Sequence, residues 1–259
     1  PPLVLFRASL GGLVASFPIS LMVAASILQI TLMLEIGAIA RVVALIKTVA
    51  PQNQVVQIMI VNVGIGTLLA ALGATPVSIL PPIMLALGYS SFVAIALPAL
   101  GYDALCTYAL LGIPVVVFSN FVGLPVNEVG GIFARFMPVI STCIALGMLW
   151  IVGGFRMVRK GMLPALLAGL TAGFVAIWMN KMEMITLTGV AAGLGVVIVM
   201  LGYLKLSGQQ LFNRERLSAA DLEAEKRLPL WAALSPWLLL GVLAFLVNAP
   251  FLPFFDLTF

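Results

Sequence analysis

The sequence predicts an all-α, polytopic transmembrane helical bundle with broken helices and a re-entrant hairpin. Three observations carry that prediction. Hydrophobic residues make up 63% of the 259-residue chain, charged residues 8%, and mean hydropathy is +1.21, whereas soluble domains carry about 25% charged residues. Several apolar runs reach the ~20 residues that cross a ~30 Å hydrocarbon core. Two of those runs are interrupted by glycine, proline and polar residues at "LGATP" and "PALGYD". A β-barrel would instead read as short alternating strands, and the runs here are long and continuous.

The whole chain, 1–259, reads as a single membrane domain. Residues 9–34 form a first span. Residues 35–49, with Arg41 and Lys47, form a shorter amphipathic helix at the interface, ended by Pro51 and Gln52. Residues 53–88 read as a broken helix or hairpin. Gly73 permits a turn, Thr75 is a good N-cap and Pro76 fits the first helical position. Residues 90–123 are too long for one straight span and break at "PALGYD" and again at "LGIP". Residues 136–204 hold three ordinary spans. Residues 205–229 form a polar loop, in which Ser218 and Asp221 have capping-box spacing. Residues 230–247 form the last span.

Lys and Arg concentrate on cytoplasmic loops of membrane proteins. Arg156, Arg159, Lys160, Lys205, Arg214, Arg216, Lys226 and Arg227 fall on one side, against Arg135 and Lys181 on the other. Residues 156–160 and 205–229 are therefore expected to be cytoplasmic. A hairpin over 53–88 would then enter and leave on that same side, beside Arg41 and Lys47.

The composition also excludes chemistry. There is no histidine, so a b-type haem lacks its usual ligands. Cys106 and Cys143 lie in apolar runs without metal or disulfide spacing and read as small buried hydrophobes. No nucleophile with its base and no paired-carboxylate site is present, so no enzyme and no cofactor is expected. The cations sit at the ends of apolar runs, which argues against nucleic acid. The chain begins Pro-Pro rather than Met and shows no signal peptide. It is expected to lack its natural beginning.

In hydrocarbon, irregular backbone survives only where protein or a wet cavity covers it. The two breaks therefore predict a shared interior site, placed where membrane depth is greatest. Broken helices let N-terminal N–H groups face anions and freed carbonyls face cations. No Lys or Arg lies within either broken segment. The start at Thr75–Ser78 is thus the candidate carboxylate holder, with Gly73, Tyr102, Thr107, Ser119 and Asn120 as further candidate contacts. Asp103 is the one carboxylate there. A charge at mid-bilayer costs at least ~2.5–3.5 kcal/mol on insertion scales, so the residue is expected to carry a proton and to serve proton coupling. A structural reading stands beside that one, with Asp103 capping a half-helix over 104–111.

The chain resembles the L-lactate permease family. The likeness runs through "LEIGAIARVVALIKTVAPQNQVVQIMIVNVGIGTLL", "PVSILPPIMLALGYSSFVAIAL", "ALLGIPVVV" and "LPLWAALSPWLLLGVLAFLVNAP", with "LLGIPV" and "SPW" as its better anchors. The resemblance implies import of a small monocarboxylate such as L-lactate or glycolate by proton symport, across a bacterial inner membrane; the freed carbonyls of the breaks leave Na⁺ equally open as the coupling ion. Two departures stand out. Family members carry an acidic residue before Gly-Ala-Pro, where this chain has "LLAALGATP". Where they tend to have Asn-Thr-Ala-Pro, it has Tyr102-Asp103-Ala104-Leu105. They are also roughly twice as long, so the chain is expected to be a middle portion or a reduced relative. The competing expectation is a non-transporting structural subunit of a larger membrane complex. A homo-oligomer is compatible with either reading.

Overall fold

The computed structural model describes residues 2–248, apart from the side chains of several residues, Tyr102 and Asp103 among them. Among the described residues the regular elements are helical, with one isolated antiparallel bridge between Val49 and Phe212. The chain is a helical membrane bundle.

Helix α1, Pro2–Glu35, is apolar on every side, the pattern of a helix meant for lipid or a deep interior. Gly37 takes a positive φ of 79° and turns the chain into α2, Ala38–Thr48. Its axis stands 81° from the last turns of α1. Helix α2 is amphipathic and buries Ile39, Val42 and Ile46.

Helix α3, Gln54–Ala71, lies at the centre and is far more buried than the other long spans. Asn53 starts it by accepting a hydrogen bond from Val56 N–H. Its middle, Met59–Ile65, is wound as a π-helix. A tight turn at Gly73 (φ 82°), closed by Ala74 N–H donating to Leu69 O at 2.8 Å, leads into α4, Pro76–Ala86. The two helices run antiparallel. Gln57 meets the Tyr89 hydroxyl, Asn62 meets Met84, and a Cβ at Gly66 would stand 3.6 Å from Leu80. This is a helical hairpin closed at Gly73. At ~1.5 Å per residue, α3 rises about 27 Å, nearly the full ~30 Å of a hydrocarbon core.

Helix α5, Ser91–Asp103, starts at Ser90, which accepts from Val93 N–H. It crosses α3 tightly, since a Cβ at Gly101 would lie 2.6 Å from the Asn62 carbonyl oxygen. The chain then loses regular form until α6, Ala109–Val122.

Helix α7, Val126–Lys181, is a 56-residue element with a sharp reversal at Gly153–Gly154. Its two arms pack against each other through glycine. A Cβ at Gly173 would stand 2.2 Å from Pro138 Cα, and one at Gly169 would stand 2.4 Å from Thr142 Cα. Small residues at such crossings let membrane helices approach closely. Ser141 adds a hydrogen bond across the seam to Gly169 O at 2.7 Å. Each arm is long enough to cross a bilayer.

Helix α8, Thr188–Leu206, runs antiparallel to α3. Gly189 meets Ala71, and Gly193 meets Gly64 and Leu68. The polar loop then carries α9, Ala219–Arg227, which begins with a full capping box between Ser218 and Asp221. Helix α10, Leu230–Asn248, closes the described chain.

The basic loops gather at one end. Asn53 donates to Gln209 and Asn213 N–H to Thr48 O. Gly161 packs on Val55 and Leu149. Lys47 pairs with Asp221 at 2.8 Å, and Glu225 bridges Arg41 at 3.0 Å and Arg214 at 2.6 Å. These contacts bring α2, the turn of α7 and the 207–227 loop together as one basic end.

Candidate functional site

The two breaks meet. Gly73, Ala74, Thr75 and Ser78 from the α3–α4 turn, with Ala109 and Leu110 from the α5–α6 break, line one cavity of about 340 Å³. Ala70 and three residues of α1, Ile27, Ile30 and Thr31, complete it. That volume is at the small end of the ~300–1,000 Å³ typical of small-molecule pockets.

The cavity has a polar wall and an apolar wall. Thr75 is the N-cap of α4 by backbone, with Pro76 behind it, but its side chain makes no capping bond. Both Thr75 and Ser78 are solvent-accessible. The first N–H groups of a helix lack intrahelical partners and favour anions; here Pro76 has no N–H and Ser78 N–H donates to Thr75 O at 3.0 Å, so this wall offers two hydroxyls with the Val77 N–H between them. Thr31 commits its hydroxyl to Ile27 O at 2.8 Å. Ile27, Ile30, Ala70, Ala109 and Leu110 form the apolar wall.

The second break differs from the half-helix expected over 104–111. Helix α5 runs straight through Pro98 and ends at Asp103. A single 3₁₀ turn, Cys106–Tyr108, follows, and then Leu110, Leu111 and Gly112 wind left-handed with φ of 50°, 55° and 81°. A left-handed leucine costs roughly 1–2 kcal/mol, so something must hold this turn. Part of the hold is a buried polar cluster. The fully buried Tyr108 donates its hydroxyl hydrogen to Gly130 O at 2.9 Å. Asn180, at the far end of α7, donates to Tyr108 Oη at 3.1 Å and to Ala176 O at 2.8 Å, with the buried Thr188 hydroxyl 3.4 Å away. Gly112 lies against the backbone of Ile185 and Thr186.

The two breaks lie at the same level of the bundle. Gly189, in the first turn of α8, touches both Ala71 and the Tyr108 carbonyl. The breaks therefore lie at the end of the bundle opposite the basic loops. Gly101 of α5 is in contact with Asn62 at the middle of α3.

Of the residues singled out from sequence, Gly73, Thr75 and Ser78 share the cavity. Thr107 is half-buried in the 3₁₀ turn and is not among its lining residues. Ser119 is buried near the end of α6 and bonds Leu124 O, while Asn120 is exposed. The side chains of Tyr102 and Asp103 lie outside the described set. By backbone, Asp103 occupies the last position of α5, a helix C-terminus, where partial negative charge gives an ionised carboxylate no support. Sequence reading missed Leu110, Thr31, Asn180 and Asn62. Asn62 is fully buried in the π-wound turn, and its Oδ1 has no partner among the described residues. A lone amide inside an apolar run was the only available signal for Asn62 and Asn180. Elsewhere, a groove of about 650 Å³ beside α10 is lined by residues such as Leu68, Val190, Leu234 and Trp237. It offers little to a carboxylate.

A profile of L-lactate permeases matches residues 3–258. The chain belongs to the L-lactate permease family. Among curated relatives, the L-lactate permease of Bacillus subtilis (strain 168) is 22% identical over 251 residues, covering 91% of this chain and 44% of that protein. The glycolate permease GlcA of Escherichia coli (strain K12) is 26% identical over 120 residues, covering 45% and 21%. The L-lactate permease of Salmonella typhimurium (strain LT2) is 25% identical over 156 residues, covering 59% and 28%. The chain thus spans less than half the length of the curated family members it matches. No solved structure matches it. Family membership and the apolar helices together make it an integral membrane protein of a transporter family.

Proposed function

We propose that the chain forms the carboxylate-binding part of a secondary transporter that imports a small 2-hydroxy monocarboxylate, L-lactate or glycolate, together with a proton. The observation that carries this reading is the meeting of two helix breaks around one cavity, with Thr75 and Ser78 on its polar wall. The substrate carboxylate sits at the start of α4, held by the Thr75 and Ser78 hydroxyls and the Val77 N–H. The short alkyl part faces Leu110 and Ala109. No buried Arg is required, because helix-end dipoles and hydroxyls supply the positive potential.

Asp103 is the proton carrier in this scheme. It stands two residues beyond Gly101, where α5 packs on α3, at a helix end that disfavours its charge, in a run without Lys or Arg. It takes a proton on the side of higher acidity and releases it on the other as the bundle changes conformation. The basic end is cytoplasmic by the Lys/Arg rule, in a bacterial inner membrane, and the cavity then lies toward the outer side.

Uptake of labelled lactate and glycolate into proteoliposomes, with and without a pH gradient, tests the reading. An inward proton gradient is expected to accelerate uptake, and Asp103→Asn is expected to remove that acceleration. Uptake that ignores the gradient in the unmodified protein would refute proton coupling. A sodium gradient that substitutes for it would identify the other coupling ion.

A further inference from the structure

We propose that Leu110 sets the length of acid the cavity accepts, and that the buried Tyr108–Asn180 pair holds it in place. The proposal rests on the cavity being the substrate site.

Leu110 and Leu111 share one left-handed turn, with φ of 50° and 55°. Glycine would adopt that conformation without strain, so each leucine needs a reason. Leu111 has an ordinary one. It packs on the apolar cluster of Met179, Met184 and Leu187. Among the described residues, Leu110 belongs to neither buried apolar cluster. It lines the cavity together with the residues of the α3–α4 turn. Its side chain is therefore the group that an alkyl substituent meets when the carboxylate sits at Thr75 and Ser78. The preceding residue, Ala109, is small and buried and also lines the cavity, so Leu110 supplies the bulk that the second break brings to the apolar wall, beside Ile27 and Ile30 of α1.

The position of the wall is fixed one residue further back. Tyr108 is fully buried and tied at its hydroxyl to Gly130 O on one arm of α7 and to Asn180 on the other. Its carbonyl lies against Gly189 of α8. The two arms of α7 and helix α8 thus locate the residue that leads into the left-handed turn. Tyr108 and Asn180 act through Leu110 and are positioning residues.

The chemistry at stake is discrimination among 2-hydroxy acids by chain length. One methylene in an apolar pocket is worth about 10–200-fold in selectivity. In proteoliposomes carrying the full chain, uptake of labelled lactate is competed by glycolate, lactate, 2-hydroxybutanoate and 2-hydroxyhexanoate. Leu110→Gly, which relieves backbone strain while removing bulk, is expected to strengthen competition by the two longer acids about tenfold or more relative to lactate. Leu111→Ala is expected to leave that ratio unchanged. Tyr108→Phe is expected to shift the ratio in the same direction as Leu110→Gly, whereas a purely structural residue would weaken all four acids alike. If Leu110→Gly does not transport, thermal stabilisation of the detergent-solubilised protein by the same four acids reads the same ratio. An unchanged ratio in Leu110→Gly, alongside impaired uptake in Thr75→Val, overturns the proposal and leaves the carboxylate site standing. Normal uptake in Thr75→Val combined with Ser78→Ala overturns the site and the proposal with it.

Discussion

Asn180 donates to the Tyr108 hydroxyl at 3.1 Å, across 72 residues of sequence. The contact joins the end of the long α7 hairpin to the broken backbone that walls the cavity. Both residues are buried, so neither partner can turn to water when the other is removed. Leaving a buried donor or acceptor unmade costs about 1–3 kcal/mol. Tyr108→Phe removes only the hydroxyl and leaves Gly130 O without its partner. The detergent-solubilised variant is therefore expected to unfold at a lower temperature than the unmodified protein. A melting temperature equal to the parent's would mean that the hydroxyl does not brace the break.

The seam of α7 makes a second prediction with its own control. Gly173 leaves no room for a side chain, since a Cβ would lie 2.2 Å from Pro138 Cα, on backbone that cannot swing aside. Gly147, on the same element, has nothing within 4 Å. Gly173→Ala must push the two arms apart and is expected to lower thermal stability by about 1–3 kcal/mol, the usual scale of overpacking. Gly147→Ala is expected to be neutral or slightly stabilising, because glycine within a helix is about 0.5–1 kcal/mol worse than alanine. Comparable melting curves for the two variants would contradict the arrangement of the hairpin.

Much of this fold is written in its local signals. Composition and run length establish a helical membrane bundle. The Gly73–Thr75–Pro76 sequence marks a turn and a helix start, and Ser218 with Asp221 marks the cap of α9. Depth is harder to read. The pairing of α3 with α8 through Gly193 and Gly189 places the turn at Gly73 at the end of the bundle opposite the basic loops, a relation between distant segments that no local signal carries. The left-handed turn is equally hidden, because Leu110 and Leu111 are residues that sequence reasoning assigns to a right-handed helix. Tertiary contacts overrule that preference here. Gly112, the one residue that invites the turn, carries "LGIP" and was legible as a break. Asn180 gave no signal beyond being polar, since its partner is 72 residues away.

The polar wall of the cavity predicts how uptake responds to loss of hydroxyls. Thr75 and Ser78 sit at the start of α4, and the Thr75 side chain has no capping duty. Thr75→Val keeps the shape of the side chain and removes its hydroxyl. A hydrogen bond to a charged group contributes about 1.5–3 kcal/mol, so the KM for lactate is expected to rise roughly tenfold or more, with melting temperature little changed. Thr75→Ser is expected to restore most of the affinity. Equal KM values for Thr75→Val and the parent would remove this hydroxyl from the binding site.

At the basic end, the loop helix α9 is held to α2 by charge, and that hold depends on pH. Burial works against the charge of Asp221. Hydrogen bonds from Lys47 and from the Ser218 hydroxyl and N–H outweigh it, together with the attraction of the Lys47 ammonium, and keep the carboxyl below its ordinary value of 3.8. A carboxyl lowered in the folded state contributes stability that is complete above its unfolded value, about 3.9. That contribution is lost as pH falls through the lower folded value. The contact of α9 with α2 is thus expected to be insensitive to pH from neutrality down to about 4 and to loosen below it. Asp221→Asn also weakens the Lys47 contact and the capping box, so it should loosen the loop at neutral pH and flatten the acid response. Hydrogen exchange of the amides in 214–227 measures both effects. An acid response that persists undiminished in Asp221→Asn would show that this carboxyl does not carry the pH dependence.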